Sequence, residues 1–294
     1  MTSRIEARNL RIAYGDDVVF DDLSFALSGD KVYGLLGRNG SGKTTLLSAL
    51  ASLREVDGGR LTIDGRPVFE DPVSMGRVCF RQSNDELIGW LGTVNDIVEF
   101  TGRMYPRWDP AYASRLIELF GLTGRTSWSA LSHGQRSSLN SLLGLASRAP
   151  ITLLDEPYLG MDASTREVLR DEILADCMTY PRMLIVSTHL VEEFGPLFEE
   201  ILMIDKGELL LHETADRLRA QGATIIGPAD RVDEVAEGLN ILDERRLGQT
   251  KSLTVFGELD DGARRRAREA GLDVGPLGLE QLFIHLTGGG EGRT

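Results

Sequence analysis

Eight residues constrain this chain more than any others. Gly37-Arg38-Asn39-Gly40-Ser41-Gly42-Lys43-Thr44 lies between an apolar run, Lys31–Leu36, and a leucine- and alanine-rich segment, Thr45–Leu53. The run reads GxxxxGK[ST], and its flanks read as a buried strand entering a buried helix. Glycines at these positions let backbone N–H groups turn inward around phosphates, and the N-terminus of the following helix attracts the same charge. Lys43 brings a cation to the β- and γ-phosphate oxygens. The Thr44 hydroxyl is the expected Mg²⁺ ligand, and Thr45, at the start of the following helix, is a further nucleotide-binding candidate. The sequence holds few lysines, at positions 31, 43, 206 and 251, so a chance match to the pattern is remote.

A phosphate loop of this type needs carboxylates at the end of a nearby strand. Ile151-Thr152-Leu153-Leu154-Asp155-Glu156 supplies them, at the C-terminal end where α/β sheets bind ligands. Asp155 is expected to hold Mg²⁺ through water, and Glu156 to polarise the water that attacks the γ-phosphate. A strand ending in Asp-Glu is common by itself. The phosphate loop gives it a role.

Length and charge narrow the class. The chain has 294 residues, enough for one large domain or for one domain with a smaller attachment, and a sizeable core needs no disulfide. Its formal net charge of −13 argues against a protein whose main task is holding nucleic acid, so no nucleic-acid partner is expected. Cys79 and Cys177 stand far apart, outside any metal-ligand spacing, and read as buried free thiols in a reducing compartment. Neither a leader-type apolar run at the N-terminus nor 18 consecutive apolar residues occur, which sets the expectation of a cytoplasmic chain.

The chain alternates between two regimes. Arg4–Ala13 and Val18–Leu27 read as strands around a Gly15-Asp16-Asp17 turn, followed by a hairpin, Arg60–Ile63 and Arg66–Phe69, and a short strand, Val78–Phe80. From about residue 84 to 150 the period is helical. Thr93 and Asp96 form a capping box, Asp109-Pro110 starts a second helix stopped by Gly121, and Gln135–Ser147 is a third. Strands return at Ile151–Leu154, Met183–Ser187, Ile201–Ile204 and Glu208–His212, with helix Thr165–Met178 between the first two and Gly222 closing the last helix. Residues 223–294 read as a small α+β module of split βαβ type: strands 223–227, 240–247 and 251–257, helices 230–238, 260–270 and 279–287. The tail 288–294 is expected to be disordered.

Leu131-Ser132-His133-Gly134-Gln135 resembles the LSGGQ signature of the ATP-binding cassette (ABC) ATPases, placed shortly before the acidic strand as that family places it. Its third position is His133 rather than Gly. Alone, this run would read as a capped helix start. The resemblance covers about residues 3–222 and carries further roles onto matching positions. It makes Gln82 the Q-loop glutamine that senses Mg²⁺, Gly160-Met161-Asp162 the D-loop with its aspartate, and His189 the switch histidine at the γ-phosphate. Tyr14 becomes the aromatic that stacks on adenine. It assigns Ser132, Gly134 and Gln135 to ATP held by an opposing cassette.

The resemblance implies an α/β fold: a P-loop NTPase (ABC ATPase) core with an antiparallel β subdomain, the helical insertion at about 84–150, and the C-terminal module. It implies ATP and Mg²⁺ as cofactors, catalysis by Glu156 and His189, and assembly as a cassette homodimer, with room for a heterodimer. The further partner is a separate transmembrane permease subunit, which would hold the chain peripherally on the inner face of the membrane. The tail Leu279-Glu280-Gln281-Leu282-Phe283 is similar to tails of the single-cassette, ABC-2-like export branch. The expected function is therefore an ATP-hydrolysing subunit of an exporter; the alternative is a soluble ABC-type mechanical ATPase in translation, repair or regulation. Two segments keep plain readings: Arg264-Arg265-Arg266-Ala267-Arg268 as a solvated helix face, and Tyr105–Asp109 as interhelical packing or a partner contact.

Overall fold

The computed structural model describes residues 3–83, 86–220, 222–236, 238–257 and 261–287. The tail 288–294 lies outside the described residues. The chain divides into two compact units, Met1–His189 with Leu202–Leu209, and Leu190–Ile201 with Leu210–Thr294.

In the first unit, β1 (Arg4–Tyr14) and β2 (Asp17–Ser28) are long antiparallel strands whose apolar residues alternate inward. β3 (Val32–Leu36) is buried at every position and leads through the glycine-rich loop into α1 (Lys43–Leu50). β4 (Gly58–Ile63) and β5 (Arg66–Pro67) complete a sheet of order β2-β1-β4-β5. β5 is shorter than the hairpin pattern suggests because Pro67 removes a ladder donor; Val68 still buries. A short α2 (Pro72–Met75) precedes β6 (Val78–Gln82).

Three helices then separate β6 from β7, each started by the local chemistry its sequence announces. α3 (Val94–Met104) begins at the Thr93–Asp96 capping box, and α4 (Pro110–Leu119) at Asp109, whose carboxylate accepts the Tyr112 N–H. α5 (His133–Ala146) begins at a second capping box, with Ser132 Oγ accepting the Gln135 N–H and Gln135 Oε1 accepting the Ser132 N–H. α5 is buried almost throughout; Ser138 Oγ donates back to the Gly134 carbonyl, and Ser137 Oγ donates to the Leu159 carbonyl in the loop after the next strand. β7 (Ile151–Asp155), α6 (Ala163–Thr179) and β8 (Met183–Thr188) follow.

After a short α7 (Val191–Phe194), β9 (Glu200–Asp205) and β10 (Glu208–Thr214) complete a six-stranded sheet of order β10-β9-β3-β8-β7-β6. β3, β8, β7 and β6 run parallel, so their C-terminal ends share one edge. Leu36 lies opposite Thr188, Ser187 opposite Asp155, and Asp155 opposite Gln82. The main core lies between this sheet and the antiparallel one, around Phe20, Tyr33, Leu46, Leu47 and Ile185.

In the second unit, α8 (Ala215–Ala220) precedes β11 (Gly222–Pro228), α9 (Ala229–Ala236), β12 (Asn240–Leu247), β13 (Thr250–Phe256), α10 (Asp261–Glu269), β14 (Asp273–Pro276) and α11 (Leu279–Leu286). The sheet is antiparallel with order β12-β13-β11-β14, the split βαβ arrangement read from the sequence, with one strand the pattern did not reveal. Gly222 opens β11, opposite Phe256, instead of closing a helix. Ala223, Ile225, Val232, Leu253, Val255 and Leu272 form a core of their own. On α10, Ala263 and Ala267 are buried while Arg264, Arg265, Arg266 and Arg268 are exposed, the amphipathic outcome expected of a solvated face. Cys79 is fully buried and Cys177 half-buried, and neither is part of a disulfide. Among the described residues, no helix is long and apolar enough to cross a membrane.

Candidate functional site

The shared strand edge opens onto a cleft of about 390 Å³. Asn39, Gly40, Gly42, Lys43, Thr44 and Thr45 line it from the loop after β3, Gln82 from the end of β6, Asp155 and Glu156 from β7, and His189 from the residue after β8. Residues up to 150 positions apart in sequence, Asn39 and His189, therefore meet because parallel strands deliver their ends together. Gly42 has φ 102°, and a side chain there would strike the Phe20 ring at 2.5 Å, so only glycine allows this entry into α1. Gly37 and Arg38 hold the loop by another route: both carbonyls accept from Lys43 Nζ, at 2.8 and 3.3 Å. Ser41 is buried, its Oγ lying beside the space a Gly37 side chain would need.

Asp155 is buried and accepts from Thr44 Oγ1 at 2.7 Å and from Ser187 Oγ. Burial pushes its carboxyl upward, opposed by those two hydroxyls. Ser187 Oγ in turn accepts the Glu156 N–H at 2.9 Å. Glu156 has φ 48°, a left-handed backbone that a glutamate rarely adopts, and this turn lets two successive carboxylates face one cleft. Its Oε1 lies 3.4 Å from Lys43 Nζ and its Oε2 2.7 Å from His189 Nδ1. The hydroxyls, carboxylates and amide of Thr44, Asp155, Glu156 and Gln82 are hard oxygen donors, the chemistry that suits a divalent cation of the Mg²⁺ kind.

Other sequence-selected residues stand apart from the cleft lining. Tyr14 is half-exposed, and the Arg54 guanidinium covers one face of its ring at 3.9 Å. Ser132 and Gln135 are exposed at the start of α5, and Asp162 is exposed at the start of α6, where it caps through the Thr165 N–H. Gly134 is buried against the Gly160 carbonyl so closely that a side chain would lie 2.4 Å from it. That contact fastens the start of α5 to the turn before α6.

Sequence reasoning missed the residue that joins the two catalytic candidates. Tyr158 Oη donates to Glu156 Oε2 at 2.6 Å and contacts His189 Nδ1 at 3.1 Å. The signal available was slight: a tyrosine two residues after Glu156, in a loop with no periodicity. Val19, Ser83 and Leu159 also line the cleft without having been anticipated.

Comparison with known proteins agrees with this geometry. Residues 20–159 match the family described as ABC transporter. The chain is 30% identical to the sulfate/thiosulfate import ATP-binding protein CysA 1 of Chromobacterium violaceum, over 79% of this chain and 68% of that protein. It is 29% identical to the Nod factor export ATP-binding protein I of Cupriavidus pinatubonensis, over 98% of this chain and 92% of that one. A solved ATP-binding subunit of an ABC transporter shares the fold, with TM-score 0.62 and 20% identity over 74% of this chain and 92% of the other. A phosphate loop, an acidic strand end and a histidine thus converge on one cleft in a chain with relatives across its length. The chain belongs to the ATP-binding subunits of ABC transporters, and its cassette is an ATPase.

Proposed function

We propose that the chain is the ATP-hydrolysing subunit of a membrane exporter, working through ATP-dependent closure of two cassettes. Residues 3–222 act as the cassette, with about 84–150 as its helical insertion, and 223–294 as an accessory domain. The observation that carries this reading is the meeting of Lys43, Thr44, Asp155, Glu156 and His189 in one cleft while Ser132, Gly134, Gln135 and Asp162 lie outside it. Residues with nucleotide chemistry that do not face their own cleft are what a head-to-tail pair requires. Each copy would present the start of α5 to ATP held by the other.

In this reading the loop 37–44 cradles the phosphates, Lys43 neutralises their charge, and Tyr14 stacks on the base with Arg54 behind it. Thr44, Gln82 and Asp155 would hold Mg²⁺, which when bound neutralises charge on the β- and γ-phosphate oxygens. Glu156 takes a proton from the attacking water, and His189 contacts the γ-phosphate. The outward direction is supported by the match to the export protein, which extends over 98% of this chain, against 79% for the import protein. A separate permease would supply the membrane path and anchor the chain at the cytoplasmic face.

The test uses Glu156→Gln. Turnover should fall by about 100-fold or more while ATP still binds, and the purified variant should double in mass with ATP and Mg²⁺. Captured from detergent-solubilised host membranes with ATP present, it should bring a multi-spanning protein in near-stoichiometric amount. A variant that stays monomeric, or recovers only soluble proteins, overturns the reading.

A further inference from the structure

We propose that Tyr158 is a positioning residue for ATP hydrolysis, holding Glu156 by Oε2 so that Oε1 is the oxygen left to act on water. This rests on the reading of Glu156 as the base.

The Tyr158 hydroxyl has one proton to give and two lone pairs. Both lone pairs are taken, by the Thr188 hydroxyl at 2.9 Å and the His189 backbone N–H at 3.0 Å. The single proton goes to the nearer and charged acceptor, Glu156 Oε2 at 2.6 Å. His189 Nδ1 lies 2.7 Å from the same Oε2 and 3.1 Å from the phenol oxygen, which has no proton left for it. Nδ1 must therefore carry a hydrogen and donate to Glu156. That fixes the ring tautomer and leaves Nε2 as the nitrogen for the cleft that His189 lines. Burial and the adjacent Glu156 charge push the phenol further upward, so Tyr158 stays a protonated donor.

The two carboxylate oxygens thus have different partners. Oε2 is fixed by two donors from the protein's own frame, whereas Oε1 lies 3.4 Å from the Lys43 ammonium, its ion-pair partner among the described residues. Before nucleotide enters, the base is occupied at both ends. Phosphates compete for Lys43, and its departure frees Oε1 alone. Oε1 can then accept a proton from water as the water oxygen bonds the γ-phosphorus and the bond to the β-phosphate oxygen breaks, releasing ADP. Tyr158 keeps the carboxylate from swinging after the departing cation, and it couples Glu156 to the residue after β8 through Thr188 and His189.

The experiment is a double-mutant cycle of Tyr158→Phe and Glu156→Gln on the full chain, read by single-turnover hydrolysis and by ATP affinity. Tyr158→Phe should lower the hydrolysis rate by about 10-fold or more with ATP affinity unchanged, since misplacement by a fraction of an ångström is enough. In the Glu156→Gln background the same change should alter the residual rate by less than about 2-fold, because the hydroxyl acts through that carboxylate. Thr188→Val, which removes the bond that orients the phenol, should give a smaller loss of the same kind. An equal loss in both backgrounds, or none in the native one, overturns the proposal. A parallel fall in ATP affinity overturns it as well, since that marks a structural role. Wild-type hydrolysis by Glu156→Gln alone would instead overturn the assignment of the base, a distinguishable failure.

Discussion

At the scale of single residues the cleft keeps charge in places where folding alone would not. Asp155 is 1% exposed, and its carboxyl is pushed upward by that burial despite two hydroxyl partners. A raised carboxyl means the folded chain binds its proton more readily than the unfolded one. Its ionised form then costs stability above the folded pKa, and the cost is relieved as pH falls through it. Asp155→Asn should therefore stabilise the nucleotide-free protein at neutral pH, by on the order of 1 kcal/mol, while hydrolysis falls. Melting curves should show the gap between variant and native narrowing as pH is lowered. A gap that is constant with pH would remove titration as its cause. The loop and the acidic strand end were legible in the sequence because each role needs a residue type at a fixed local spacing. Tyr158 was not, because what defines it is a ring 31 positions away in sequence.

Among the elements, legibility followed the range of the interactions that start them. Thr93–Asp96, Asp109-Pro110 and Ser132–Gln135 act within one helical turn, so α3 and α4 begin where the sequence announces them, while α5 begins at His133, two residues before the Gln135 start read from the pattern. β14, Asp-Val-Gly-Pro, has a single branched apolar residue and exists through its ladder to β11. Equally invisible was the ionic cluster that ties the helices of the insertion to α6. Asp176, 1% exposed at its side chain, pairs with Arg148 through Oδ1 and with Arg182 through Oδ2, the latter at 2.7 Å. Arg148 also reaches Asp109, the cap of α4, and stacks on Tyr112 and Tyr180. Removing the shared carboxylate leaves two buried cations short of a partner. Asp176→Ala should cost about 3–5 kcal/mol. The exposed pair Arg103–Glu99, by contrast, should contribute well under about 1 kcal/mol when either side is removed. Urea titrations of the two variants separate these outcomes, and similar costs for both would contradict the role given to burial.

Taken whole, the chain has two compact units with separate hydrophobic cores, one carrying the nucleotide cleft and one built on the βαββαβ sheet. Composition gives no hint of this, since the net charge of −13 is a sum over both. Sequence order separates the nucleotide motifs from the rest at 222/223, whereas compactness places Leu190–Ile201 with the C-terminal elements. The reason is a long-range contact: Gly195, just after α7, packs against Leu279 at the start of α11, an approach that no local pattern announces. Two cores allow two unfolding events, and ATP can stabilise directly only the one that holds its cleft. Leu253 is fully buried at the centre of the second sheet, opposite Ile225 on β11 and Glu244 on β12. Leu253→Ala should destabilise that unit by about 2–5 kcal/mol through the cavity it leaves. Calorimetry should show one transition lowered by this substitution and the other raised by ATP, by about 2.7 kcal/mol at a hundredfold excess over Kd. ATP affinity should be unchanged in the variant. If instead one transition responded to both the cavity and the nucleotide, the second core would be part of the ATPase's cooperative unit, and the accessory elements would be coupled to nucleotide occupancy.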